Sequence, residues 1–431
     1  MMRRWPYLAA GFVIANCLQA FNIVDRTFWG EWDGKPGDTF TQSVNLLMIL
    51  LSLALFGRGL RRLPSIRTGA VLTLGLAAFL LSSVVWSGNP QRTISQGIVY
   101  LSVVIGAIGI ASSLDVDEFM KLVGLICGLA ALCSLFLAVV SPGEAFTSFG
   151  DFRGIFPQKN VAGKAMEVGA LASLHGLRAS REHKWRSRIL LVLVTIVCLL
   201  SKSMTSLSTI FVFCSADTVT AMMRKGGPTR MLGIMGAFIA ALVLTFVAIS
   251  PDLMLEMTGK DPTLTGRTEI WSYVIYDILQ KPLLGWGYNA FWFIENPAAI
   301  EIDNAVHYVV PQAHNGLLEI LLHVGMVGAI FFLFLLARNI TLGLRCLRAP
   351  EAKALAMSSL LCCAGILLVG ISEIVLLAGL EGSTAVFFAT GFYCERALWL
   401  RQRRPTAAKR LAYPYAGMSA RNNFSHKAHS P

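Results

Sequence analysis

Three short clusters hold the residues of this sequence best suited to chemistry. Gly266-Arg267-Thr268-Glu269-Ile270-Trp271 forms the first, Lys281-Pro282-Leu283-Leu284-Gly285-Trp286-Gly287 the second, and Ala313-His314-Asn315-Gly316-Leu317-Leu318-Glu319 the third. All fall between Thr265 and Gly328, where a mostly apolar chain leaves its hydrophobic pattern. Loops of this length are functional or disordered. Trp271, Trp286 and Trp292, with few charge blocks, argue for a folded cap. Residues 267–280 read as an amphipathic helix, with Ile270, Val274, Ile275 and Ile278 at helical spacing. Thr265 can cap it, Glu269 suits its dipole, and Pro282 and Gly285 end it. A cation in the first turn is disfavoured unless an anion lies nearby, so Arg267 at a helix N-terminus suits a phosphate. A loop carboxylate such as Asp261 is the alternative partner.

His314 follows Pro311 and precedes Asn315, which is placed to cap the next helix. A neutral imidazole at that membrane–water boundary can accept a hydroxyl proton, the alternative being a structural histidine. Glu319 sits one turn into an apolar helix, where an unpaired carboxylate is costly; Glu167, Glu373 and Lys164 fall under the same rule. A second constellation precedes residue 160. Arg153 and Lys159, with Lys164 one turn inside the next apolar run and Lys202 in the Ser201-Lys202-Ser203 turn, place cations where an anionic head group would bind. Snorkelling to lipid phosphates is the alternative. His175 and His183 read as the solvated face of a basic loop, and His426 and His429 belong to a polar tail. No nucleotide or metal motif stands out, so no metal or cofactor is expected.

The elements that must position these residues are hydrophobic. Of 431 residues, 55% are hydrophobic and only 14% charged, with a mean hydropathy of +0.61. Apolar runs predict about twelve transmembrane helices near 7–24, 40–57, 68–87, 94–113, 118–140, 160–177, 189–201, 204–223, 231–250, 317–337, 354–378 and 383–400. The fold class is thus an all-α polytopic membrane protein. Its expected division is nine helices within 1–250, an active-site loop at 251–316, three helices within 317–400, and a basic, disordered cytoplasmic tail at 401–431. The net charge of +12 reads as topology rather than nucleic-acid binding. Arg58, Arg61, Arg62 and Arg67, the 178–188 cluster, Arg224, Lys225 and Arg230, and Arg338, Arg345, Arg348 and Lys353 mark cytoplasmic loops, which leaves 251–316 extracytoplasmic. Asp115, Asp117 and Glu118 run against that pattern. Nine cysteines without a CxxC support neither a disulfide framework nor a zinc site.

The three clusters, with Val324-Gly325-Met326-Val327-Gly328, Trp86-Ser87-Gly88-Asn89-Pro90 with Thr93, and the Lys159-Asn160 pair, resemble the O-antigen ligase and polymerase family collinearly over roughly residues 80–340. Phe156-Pro157-Gln158-Lys159-Asn160 and Ser201-Lys202-Ser203-Met204-Thr205-Ser206 look most like its exopolysaccharide polymerase branch, the ExoQ type. The resemblance implies a metal-independent glycosyltransferase of the bacterial inner membrane with its large loop in the periplasm. Such an enzyme takes a polyprenyl-pyrophosphate-linked oligosaccharide as donor and transfers it to an acceptor hydroxyl, among membrane lipids and alongside chain-length regulator and flippase proteins. It implies catalytic roles for Arg267, at the pyrophosphate, and His314, at the acceptor or leaving group. Arg153, Lys159, Lys164, Lys202 and Glu319 are then substrate-binding candidates. The family carries a basic residue where this chain has Met204, a role that Lys202, Lys159 or Lys164 would take over. Polymerisation of repeat units is the expected reaction, with glycan ligation to a lipid core as the alternative and a twelve-helix secondary transporter as the distant one.

Overall fold

The computed structural model describes residues 4–21, 39–147, 150–179, 184–225, 227–233, 235–236, 267–377 and 379–403. Residues 251–266, with Asp261 and Thr265, most of the expected ninth span, His183, His426 and His429 lie outside them. Among the described residues the regular secondary structure is all helical, joined by turns and loops, with one isolated antiparallel bridge between Phe146 and Phe152. Helices α1 (Trp5–Cys17), α2 (Thr39–Gly59), α3 (Arg67–Ser82), α4 (Pro90–Ser113) and α5 (Val116–Val140) lead to a one-turn α6 (Pro142–Ala145). Then come α7 (Lys159–Ala179), α8 (Lys184–Leu200) and α9 (Met204–Lys225). After the undescribed stretch follow α10 (Arg267–Gln280), α11 (Pro297–Val306), α12 (Gly316–Cys346), α13 (Lys353–Gly370) and α14 (Gly382–Arg403).

Among the described residues six stretches are long and apolar enough to cross a membrane: Phe40–Val85, Pro90–Ser113, Val116–Val140, Met204–Met223, Gly316–Cys346 and Pro350–Gly370. The first is α2 and α3 joined by a 3-10 turn at Leu60–Ile66. The protein is a multi-pass membrane protein. Helix starts follow local chemistry: Asn89 accepts the Arg92 amide ahead of Pro90, and Asp115 with Glu118 closes a capping box on α5. Buried from Gly382 to Cys394, α14 is the central helix and packs on α4, α7, α12 and α13.

Two expectations change at the end of the bundle away from the 282–316 loop. His175 is not a solvated residue. It is 2% exposed, with Nε2 at 3.0 Å from Asp117 Oδ1 and Nδ1 at 3.0 Å from Ser358 Oγ, tying α7 to α5 and α13. Arg338 is not a loop cation either: it pairs with Glu395, whose carboxylate also takes the Thr68 and Gly69 amides (2.9 and 2.8 Å) and so caps α3. Asp115 pairs with Arg396 at 3.1 Å and lies 4.0 Å from Arg62, which neutralises an acidic residue that ran against the charge pattern.

The cap has a core of its own, with Ile270, Val274, Phe291, Ile302 and Ala313 buried together. Ile275, expected on the inner face, is 48% exposed. The Pro282–Gly287 segment is sewn into α12 where that helix breaks at Gly325 (φ 62°, ψ −165°). Trp286 N donates to the Leu322 carbonyl and Gly287 N to that of His323, both at 2.9 Å, while Met326 N donates to Pro282 and Val327 N to Leu283. These four α12 groups, freed from the helical ladder, pair with the inserted segment instead of being left unsatisfied. A Cβ on Gly325 would collide with the Leu283 carbonyl, and one on Gly285 (φ 66°) would lie 2.6 Å from the His323 carbonyl carbon. The Trp86-Ser87-Gly88-Asn89 motif receives this segment: Trp86 Nε1 donates to Leu284 O (3.0 Å), Gly88 N to Trp286 O, and Thr93 Oγ1 to Tyr288 O (2.9 Å).

Candidate functional site

The carboxylate of Glu373 is the hub of the site. Expected inside a continuous span at 354–378, it instead follows the end of α13 at Gly370, in a turn where its neighbours can reach it. Asn160, in the first turn of α7, donates to Oε1 at 2.7 Å, and Gln312 Nε2 to Oε2 at 3.2 Å. Arg267, the first residue of α10, holds NH2 at 3.9 Å from Oε1 and donates through NH1 to the Ser372 carbonyl at 3.4 Å. His314 Nδ1 lies 3.6 Å from the same Oε1 and 3.3 Å from Gln312 Nε2. Glu373 is buried, whereas the Arg267 and His314 side chains are 24% and 23% exposed, so the guanidinium and the imidazole both open toward solvent over one buried carboxylate. Burial pushes the Glu373 carboxyl up, but His314, Lys164 and Arg267 around it outweigh burial and hold it below the ordinary carboxylate range.

Two devices fix His314. It occupies the left-handed region (φ 50°), and Asn315 behind it caps α12 by accepting from Leu317 N and Leu318 N at 3.1 Å. Glu319 secures the other side. It is fully buried, accepts from Trp292 Nε1 and Ala313 N at 2.8 Å each, and has His323 Nε2 at 3.3 Å. Its oxygens face the cap core rather than the Arg267–His314 opening, so its geometry is that of a positioning residue.

The other cations divide. Lys164, one turn below Asn160, bonds Glu381 Oε2 at 2.5 Å and the Ile374 carbonyl at 3.3 Å, binding the 371–381 segment to α7. Lys159 pairs with Asp151 at 2.8 Å. Arg153 is buried against the 144–145 turn, with Nε 3.3 Å from the Glu144 carbonyl. Lys202 is exposed at φ 52°, and nearby Thr205 shares a 2.6 Å hydrogen bond with Ser372, beside Glu373. Arg267, His314 and Lys164 therefore meet around the 372–381 turn, Lys202 stands next to it, and Arg153 and Lys159 serve the 141–158 loop. Gln312 and Glu381 escaped the sequence reading because nothing in their local pattern marks them. Glu373 was marked as a costly intramembrane carboxylate, but its partners are distant in sequence.

A guanidinium at a helix N-terminus beside an imidazole, both solvent-accessible, can bind a phosphate and receive a proton. Residues 189–333 match the family model described as O-antigen ligase. The chain is 26% identical over 272 residues to the exopolysaccharide production protein ExoQ of Rhizobium meliloti, a match spanning 60% of this chain and 61% of that protein. It is 32% identical over 87 residues to proteins of Rickettsia conorii and Rickettsia felis that carry the provisional name polysaccharide ligase, covering 20% of this chain and 21% of each.

Proposed function

We propose, from the premise that residues 189–333 belong to the O-antigen ligase family, that this protein is a membrane glycosyltransferase that polymerises lipid-linked oligosaccharides into exopolysaccharide. The donor is a polyprenyl-pyrophosphate glycan, and the acceptor hydroxyl belongs to a second lipid-linked glycan. The observation that carries this reading is the convergence of Arg267 and His314 on Glu373. The acceptor oxygen attacks the anomeric carbon, the bond from that carbon to the pyrophosphate oxygen breaks, and the electron pair leaves with the pyrophosphate. His314 takes the hydroxyl proton. Arg267 meets the negative charge that grows on the leaving group, where its planar fork can engage two phosphate oxygens. Lys202, in the turn that lacks a basic residue at Met204, would add a second positive charge. The tail stays in lipid while the sugars enter the cap, with the cap on the periplasmic face of an inner membrane crossed about twelve times.

The test is in vitro transfer with purified variants, a lipid-pyrophosphate donor and chelator present. Breaking a desolvated charge pair costs roughly 2–5 kcal/mol, so Arg267→Ala should nearly abolish product while Arg267→Lys keeps a minor fraction. Equal turnover in Arg267→Ala and the parent would overturn the assignment, and activity lost to chelator alone would point to a metal. The polysaccharide-ligase names of the Rickettsia proteins favour ligation as the second reading. A deletion strain separates the two: accumulated single repeats mean polymerase, and long unattached chains mean ligase.

A further inference from the structure

The outer face of α10 changes character along its length. Near Arg267 the exposed residues are polar: Thr268, Glu269 and Ser272. Past the middle they are mostly apolar, with Ile275 48%, Tyr276 62% and Leu279 68% exposed and Gln280 the polar exception at the helix end, and the run continues through Leu283 at 62%. Leu283 is not a stray loop residue. Its carbonyl accepts Val327 N at 3.2 Å, which sets it beside Met326 and Ile330, 50% and 61% exposed on the outer face of membrane helix α12. One apolar surface thus runs from the cap helix onto the bundle wall.

The direction of α10 follows from its two ends. Gly316, at the start of α12, packs on Gly370 and Glu373 at the end of α13, with their carbonyl oxygens 3.1 Å from where its Cβ would be. Gly325 meets Leu283 next to Leu284, whose carbonyl accepts Trp86 just past α3. The ends of α13 and α3 both lie at the cap end of the bundle, so residues 316–325 cross that end rather than continue along its axis. Helix α10 runs beside them, from Arg267 at Ser372 to Pro282 at Met326. A helix lying across a bundle end with one half apolar outside is built for the boundary between lipid head groups and acyl chains. At its C-terminal end Lys281 stacks over Trp286 at 4.0 Å, a cation with an apolar stem beside an indole, as interfacial belts contain.

We infer that the distal half of α10, with Leu283, is a lipid-contact surface inserted in the bilayer interface, which anchors the cap in the membrane plane. This surface stands apart from the transfer reaction, and its test does not read activity. The full-length protein, in phosphatidylcholine and phosphatidylglycerol vesicles, carries benzoyl-phenylalanine in place of Leu279, Leu283 or Thr268. Irradiation should give lipid adducts from positions 279 and 283 and none above background from 268. A probe in place of Tyr276, on the exposed helix face, reads the same surface should position 283 disturb the bond to Val327. Equal adducts at 268 and 279, or adducts at 276 and 279 to protein alone, would overturn the inference.

Discussion

Glu373 holds together a site whose two proposed catalytic residues are 47 positions apart in the chain (314 − 267). Removing its charge while keeping its shape leaves Arg267 and His314 facing a neutral amide. Hydrogen bonds to charged groups are worth roughly 1.5–3 kcal/mol, so Glu373→Gln should cut turnover about tenfold to a hundredfold. Donor KM should change less, because Arg267 remains, and Glu373→Asp should recover part of the loss. Steady-state kinetics on proteins matched for thermal unfolding separates this from misfolding, and unchanged turnover would reduce Glu373 to a packing residue. The pH dependence has a definite sign. Because Glu373 is held below the unfolded carboxylate value of 4.5, its contribution to stability is fully present above that value and is lost as pH falls through the lower folded value. If His314 is the proton acceptor of the proposed transfer, His314→Ala should cost ~10²–10⁴-fold in rate while the protein still inserts. Near-normal polymer from a stably expressed His314→Ala would leave a structural histidine.

Two elements govern how these side chains are presented, and each carries a test. The insertion of Pro282–Gly287 into α12 requires Gly325 at positive φ beside the Leu283 carbonyl. With ψ at −165° this is a region essentially reserved for glycine, where an L side chain costs on the order of 1–3 kcal/mol from the backbone alone. Gly325→Ala should therefore lower the unfolding temperature in detergent and reduce transfer, although Gly325 is not among the residues that meet at Glu373. An unaltered melting curve would show that the break tolerates a side chain. The second test lies in α10, where burial, then the charge of Glu301, push the Asp277 carboxyl up to about 6. The folded state prefers its protonated form, so this favourable contribution is present below an unfolded value near 3.8 and is lost as pH rises toward 6. Asp277→Asn should flatten that part of the stability profile, and an unchanged slope between pH 4 and 6 would refute the shift. Helices were legible because apolar runs and caps such as Asn315 are local signals. The break at Gly325 was not, since it depends on a loop segment that donates and accepts from 40 residues away (325 − 285). The same limit applies to Glu319: its apolar setting marked it for function, but its partners Trp292 and Ala313 are supplied by the cap fold.

At the scale of the whole molecule, the distribution of charge predicts which way the bundle faces. The end opposite the cap carries Arg58, Arg61, Arg62 and Arg67, then Lys184, Arg186 and Arg188, then Arg345, Arg348 and Lys353, and finally Arg401 and Arg403. Its acidic residues are largely taken up in pairs: Asp115 with Arg396, Asp117 with His175, Asp217 with Arg178, and Glu395 with Arg338. What remains is a surplus of Lys and Arg close to helix ends, the asymmetry that keeps a loop in the cytoplasm. Among the described residues the cap end presents fewer basic residues, and several are engaged in the site or its supports: Arg267 at Glu373, Lys159 at Asp151 and Lys164 at Glu381. The cap should therefore be periplasmic, and an alkaline phosphatase fused after His307 should be active while one fused after Arg403 is not. A cytoplasmic reporter such as green fluorescent protein should give the reverse. Phosphatase activity from Arg403 together with none from His307 would place Arg267 and His314 on the cytoplasmic face. The donor would then have to react before it crosses the membrane, and the polymerase reading would fall even if every residue of the site were shown to bind it.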